Sequence, residues 1–154
     1  MTVEKKNFNL ATSELTLNHA KQLQTINKVV LNSHYDLKFS KNACNDLTLL
    51  GFFNDITSGA ITCKKLDEKS IEIETIAVLK NYQNFGLGSL LVKDLLKNLS
   101  TLKFQKAFVK ISKLNNITIE LFKKFEFAVD TECKENVERD EDFVYLVKDI
   151  VAEN

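Results

Sequence analysis

Ile73-Glu74-Thr75-Ile76-Ala77-Val78-Leu79-Lys80-Asn81-Tyr82-Gln83-Asn84-Phe85-Gly86-Leu87-Gly88-Ser89-Leu90-Leu91 is the stretch on which the fold turns. Its first half has the branched, alternating texture of a strand, and its second half opens a helix with leucines at helical spacing. Between them lie Gly86 and Gly88, half of the four glycines in the chain. A strand that runs through such a loop into a helix gathers the unpaired N–H groups of the first turn and the positive end of the helix dipole at one point. Without side chains at Gly86 and Gly88, an anion can approach the main chain closely. Gln83, Asn84, Phe85, Gly86, Leu87, Gly88 and Ser89 therefore form a candidate anion nest. An ordinary tight strand-to-helix turn would use the same glycines, and a lone Gly-x-Gly does not choose between the two. Two other phosphate loops are excluded. A P-loop needs Gly, four residues and Gly-Lys-Ser/Thr, and a dinucleotide fingerprint needs a third glycine within an N-terminal βαβ unit.

Upstream of this stretch, Leu47 to Phe53, Ala60 to Leu66 and Ile71 to Val78 read as strands. Asn54-Asp55 and Asp67-Glu68-Lys69 are the turns of this antiparallel meander. Before it, Thr16 can cap a helix to about Leu31, with Ala20, Leu23, Ile26, Val29 and Val30 as its apolar stripe. A short helix is expected between Tyr35 and Ala43. Downstream, Gly86 to Ser100 is a helix with Leu87, Leu90, Leu91, Leu95 and Leu99 on one side. A strand from Ala107 to Ser112, a helix from Ile117 to Lys124, and strands near Phe127 to Cys133 and Phe143 to Val151 complete the chain. The order predicts one α+β domain over residues 1–154, with no repeat or linker to divide it.

Lys plus Arg and Asp plus Glu are equal at 21 each, so no basic excess points to nucleic acid as a direct partner. No apolar run approaches the roughly 20 residues of a membrane span, and Met1 to Asn9 is polar rather than signal-like. A cytoplasmic protein without membrane contact is the expectation. Cys44, Cys63 and Cys133 are odd in number, far apart and outside any metal-ligand spacing, which suits reduced thiols that serve as small hydrophobes. His19 and His34 are too few for a His-rich metal site, so no metal is expected.

The motif Gln83-x-x-Gly86-x-Gly88, after a strand ending Ala77-Val78 and before an amphipathic helix, resembles the coenzyme A signature of the GNAT acetyltransferase superfamily. A second block strengthens the likeness. Phe108-Val109-Lys110-Ile111 is followed by Asn115-Asn116 and by Ile119-Glu120-Leu121-Phe122-Lys123-Lys124-Phe125-Glu126-Phe127, like the family's segment that ends aromatic-x-aromatic. The resemblance implies the GNAT fold, a mixed and mostly antiparallel central sheet of about seven strands with helices on both faces. It also implies acetyl-CoA as cofactor, held by Ile76, Ala77, Val78, the Gln83–Ser89 loop, Asn115 and Phe122. Leu17 to Val29 and Phe52 to Ala60 are most similar to NatE-type protein Nα-acetyltransferases. Such enzymes acetylate the α-amine of a protein N-terminus and associate with a NatA-like complex at the ribosome.

The implied chemistry is direct transfer, with backbone N–H groups near Ala77-Val78 polarising the thioester carbonyl. Three positions depart from the NatE-type or wider GNAT pattern: Glu72 replaces a catalytic Tyr, Lys110 a His, and Phe122 a Tyr that protonates the leaving thiolate. Glu72 and Lys110 remain the candidate catalytic residues. Leu31-Asn32-Ser33 replaces the Phe-Pro-Val of the first-residue pocket; with Tyr35 and Glu74 it makes up the expected substrate side. A late tyrosine pair is missing near Asn136-Val137. Glu72 has two readings. It acts as a base, its pKa raised by repulsion from Glu74 two residues on, or it pairs with Lys110 across neighbouring strands and stays ionised. A binding subunit of an N-terminal acetyltransferase complex, catalytically weak or inactive, is the alternative to an enzyme.

Overall fold

A computed structural model describes residues 9–14, 48–130 and 141–151. The expected helices from Thr16 and from Tyr35 fall outside these residues, as do Leu31, Asn32, Ser33, Tyr35, both histidines, Cys44, Cys133 and Asn136-Val137.

Seven strands form one sheet in the order β1-β2-β3-β4-β5-β7-β6. They are β1 (Leu10–Glu14), β2 (Leu49–Phe53), β3 (Ile56–Lys65), β4 (Ser70–Val78), β5 (Lys106–Ser112), β6 (Ala128–Val129) and β7 (Phe143–Asp149). Helices α1 (Leu87–Thr101) and α2 (Asn116–Lys124) follow β4 and β5. The expected meander is β2-β3-β4, with Asn54 at φ 53 making its first turn. β1 was not anticipated. Leu-Ala-Thr-Ser-Glu carries one large apolar residue, as an edge strand can, and only its pairing with β2 makes it a strand.

Every strand pair is antiparallel except β4 and β5. That parallel pairing covers only Ser70↔Lys106 to Ile73↔Val109. Beyond it β4 continues beside β3 to Val78, while β5 continues beside β7 to Ser112. The sheet therefore splits between its two central strands.

A bulge sits at the split. Thr62 faces Thr75 and Cys63 faces Ile73, which leaves Glu74 as the extra residue. An extra residue shifts the alternation of the strand by one. Ile71 and Ile73 lie in the apolar cluster before the bulge, and Ile76 and Val78 pack against the same cluster after it.

Helix α1 lays Leu91, Val92, Leu95 and Leu99 over Leu49, Ile61, Ile71, Ile73, Val109 and Leu146, and α2 adds Ile119 and Phe122. Each such side chain contributes about 1.5–3 kcal/mol by leaving water. Val92 is fully buried where the leucine pattern had pointed to Leu90, which is only partly covered. No helix of the described residues is long and apolar enough to cross a membrane.

Both helices end in a Schellman turn. Phe104 N–H donates to Leu99 O and Lys103 N–H to Ser100 O after α1; Phe127 N–H donates to Phe122 O and Glu126 N–H to Lys123 O after α2. The left-handed residue of each turn, usually glycine, is here Lys103 (φ 66) or Glu126 (φ 68). The segment Phe125-Glu126-Phe127 is thus a helix stop, with Phe127 packed edge-on against Phe122 at 5.1 Å.

Candidate functional site

The loop between β4 and α1 is built as the glycines suggested. Lys80–Tyr82 make one 3₁₀ turn, Asn84 takes φ 68, and Gly86 takes φ 93 as the N-cap of α1. Only glycine adopts that last conformation without strain. The N–H groups of Leu87, Gly88 and Ser89 precede the first intrahelical bond, Leu90 N–H to Gly86 O at 3.0 Å. No acidic residue stands in this first turn to occupy them.

Three devices fix the loop. Gln83 Nε2 donates to Val78 O at 2.9 Å, so the signature glutamine fastens the loop to the end of β4. The ring of Phe53, at the end of β2, lies 5.2 Å from that of Tyr82 and 5.0 Å from that of Phe85. Leu87, 1 % exposed, fills a socket made by the other two glycines. A Cβ on Gly51 would lie 2.8 Å from Leu87 Cδ1, and one on Gly59 would lie 2.9 Å from Ala77 O and 3.3 Å from Leu87 Cδ2. All four glycines thus serve this loop. Gly51, Gly59, Phe53 and Leu10, which faces Gly86 from β1, were missed from sequence. Gly51 inside a predicted strand and Gly59 just before another were the signal that could have found half of them.

The split supplies the second half of the site. Leu79 N–H donates to Ser58 O, so by strand alternation the N–H groups of Ala77 and Thr75 point to β3 and those of Val78 and Ile76 to the open side. The donors near Ala77-Val78 are therefore Ile76 and Val78, and Ala77 is committed to β3. Asn115 caps α2, its Oδ1 accepting from Thr118 N–H at 3.2 Å. Phe122, expected beside the cofactor, is fully buried and anchors the α2 stop, where the apolar core retains it.

The charged groups pair differently from either reading of Glu72. Glu72 stands opposite Lys64 on β3, with Lys64 Nζ 3.7 Å from Glu72 Oε2. It does not pair with Lys110. The Lys110 ammonium lies 4.2 Å from the centre of the Phe143 ring and 5.9 Å from that of Tyr145. The bulge also removes the simple two-residue relation between Glu72 and Glu74. The carboxyl of Glu74, an exposed residue, is held above its ordinary range, first by partial desolvation, with Lys64 acting against the shift and Glu72 adding to it. Burial first, and then Glu74, push the thiol of Cys63 far up, which leaves it an inert small hydrophobe. A cavity of about 460 Å³ lined by Asp67, Glu68, Lys69, Ser70, Gln105 and Lys106 lies at the opposite, paired end of β4 and β5, away from the nest.

The model of the acetyltransferase (GNAT) family matches residues 17–127. N-alpha-acetyltransferase 50 of Danio rerio is 28 % identical over 130 residues, covering 80 % of this chain and 76 % of its own length. The probable N-acetyltransferase san of Drosophila melanogaster is 28 % identical over 122 residues, covering 75 % of this chain and 66 % of its own. Among solved structures, Arabidopsis thaliana Naa50 in complex with the bisubstrate analogue CoA-Ac-MVNAL superposes with a TM-score of 0.73 at 26 % identity. That match covers 90 % of this chain and 96 % of the other.

Proposed function

Because the chain belongs to the acetyltransferase (GNAT) family, we propose that it is an acetyl-CoA-dependent N-acetyltransferase acting on the α-amine of protein N-termini. The observation that carries this reading is one geometry with two donor sets. The Gly86–Ser89 nest lies at one end of β4, and the free edge at Ile76 and Val78 leads from it into the split. The similarity to the Danio and Drosophila N-acetyltransferases supports the α-amine as acceptor.

Acetyl-CoA is the cosubstrate, and when bound it supplies an acetyl group activated as a thioester. The residues present fit it. The nest offers main-chain donors to a pyrophosphate without a competing carboxylate. A Cβ on Gly88 would merely touch Leu121, at 3.4 Å, so packing does not demand glycine there, and its absence suits the close approach of a ligand. The N–H groups of Ile76 and Val78 suit a carbonyl that gains negative charge. Asn115 caps α2 and Phe122 lies in the apolar core.

The acceptor needs little help with its proton. An α-amine has a reference pKa near 8, so roughly a tenth of it is neutral at pH 7. Glu72 is engaged by Lys64, which leaves Glu74 as the carboxylate better suited to receive a proton. The partner reading follows from the same likeness: a peptide N-terminus as substrate and a NatA-like assembly at the ribosome, in the cytoplasm.

One second reading has its own observations. The tie of Glu72 to Lys64 and the absence of a hydroxyl at Phe122 suit a weakly catalytic subunit of such a complex. Calorimetry with acetyl-CoA, followed by coenzyme A release with Met-starting and acidic-starting peptides, separates the two. Binding with peptide-dependent release supports the enzyme. Binding without release moves the assignment to the subunit, and no binding sinks the cofactor site.

A further inference from the structure

The β4–β5 pairing ends at Ile73↔Val109. The next residue on each arm, Glu74 on β4 and Lys110 on β5, therefore stands at the mouth of the split. Their charges are opposite, yet no ion pair joins them. Lys110 is exposed and rests on the rings of Phe143 and Tyr145. An aromatic face holds a cation without neutralising it, so the charge stays available to an anion. Among the described residues, the titratable groups around Glu74 are Glu72 on its own strand, Lys64 and Cys63 on β3, and Lys110 across the split. Lys64 is shared with Glu72, and Glu74, exposed as a residue, has its carboxyl raised first by partial desolvation. Such a carboxylate gains from an added cation.

A ligand complementary to this pair presents an ammonium toward β4 and a carboxylate toward β5. The two charges are separated by at least the strand spacing of roughly 5 Å. The geometry points to a substrate class: protein N-termini whose second residue is acidic, with Glu74 facing the α-amine and Lys110 the acidic side chain. This inference rests on the N-terminal acetyltransferase reading and adds its selectivity.

The test is calorimetric binding of otherwise identical Met-Asp, Met-Ala and Met-Lys peptides to the protein loaded with coenzyme A, alongside transfer rates with acetyl-CoA. The Met-Asp peptide is expected to bind about tenfold tighter than Met-Ala, with Met-Lys weakest and the ratio shrinking as salt rises. Lys110→Met should bring the ratio near one and Lys110→Glu should invert it, both with acetyl-CoA binding unchanged. A preference that survives Lys110→Met overturns the assignment, as does wild-type protein that acetylates all three peptides alike. Tighter binding of free aspartate than of any peptide also overturns it, in favour of a small amino-acid acceptor. Failure of acetyl-CoA itself to bind defeats the underlying acetyltransferase reading together with the selectivity built on it.

Discussion

Leu87 links the core to the nest, and its replacement tests that link quantitatively. The side chain is 1 % exposed, and two of its neighbours, Gly51 and Gly59, have no side chains that could collapse into a void. Leu87→Ala should therefore cost toward the upper part of the 2–5 kcal/mol range for such truncations, about 4 kcal/mol. For a domain of this size that is a fall in Tm of roughly 8–16 °C. Gly51→Ala alone places a methyl 2.8 Å from Leu87 Cδ1, with the other methyl already close to Gly59, so it should cost about 1–3 kcal/mol. Made on the Leu87→Ala background, the same methyl enters the vacated space and should cost nothing or stabilise. Urea denaturation of the four proteins gives the coupling energy directly, expected at about 1–3 kcal/mol. Additive effects would refute the socket. Weaker acetyl-CoA binding by Leu87→Ala should accompany the loss, since Leu87 is the first helical residue of the nest.

Gly86→Glu should abolish stabilisation by acetyl-CoA, because a carboxylate would enter the nest and φ 93 would be strained. At a hundredfold excess over Kd the wild type should gain about 2.7 kcal/mol, and an equal gain in the variant would remove the site from this loop. Glu126→Gly should stabilise by about 1 kcal/mol by relieving a left-handed residue, the exposed ion pair to Lys148 offsetting little of it; a thermal melt showing a loss would contradict the strain argument. For Glu74 the sign runs against the usual carboxylate. A folded pKa above the unfolded one means more protons bound when folded, so its contribution falls as pH rises from the unfolded value through the folded one. Glu74→Gln should therefore stabilise relative to wild type at neutral pH but not under acid conditions, and denaturation midpoints across that window measure it.

Much of the fold could be read locally. The leucines of α1, the glycine loop and the alternating strands each rest on interactions within a few residues, where periodicity and backbone preference act. The helix stops show the limit of such cues. With four glycines in the chain, Lys103 and Glu126 take positions that a sequence reading reserves for glycine, and the turns are held by their backbone hydrogen bonds together with the packing of Phe104 and Phe127.

The chain by itself determined where consecutive free N–H groups gather, because they lie in one loop between a strand and a helix. It also determined the family resemblance that points to acetyl-CoA. What lies across the sheet was decided only by tertiary structure. Register made Glu74 the bulge, gave Glu72 to Lys64, left Lys110 on aromatic rings and ended the β4–β5 pairing at Ile73. The fates of Phe122 and Gly51 likewise depended on neighbours far along the chain. A strand's own residues specify its two faces but not its partner or register. The charge pairings at the mouth of the split therefore follow from contacts between distant segments, which no local pattern encodes.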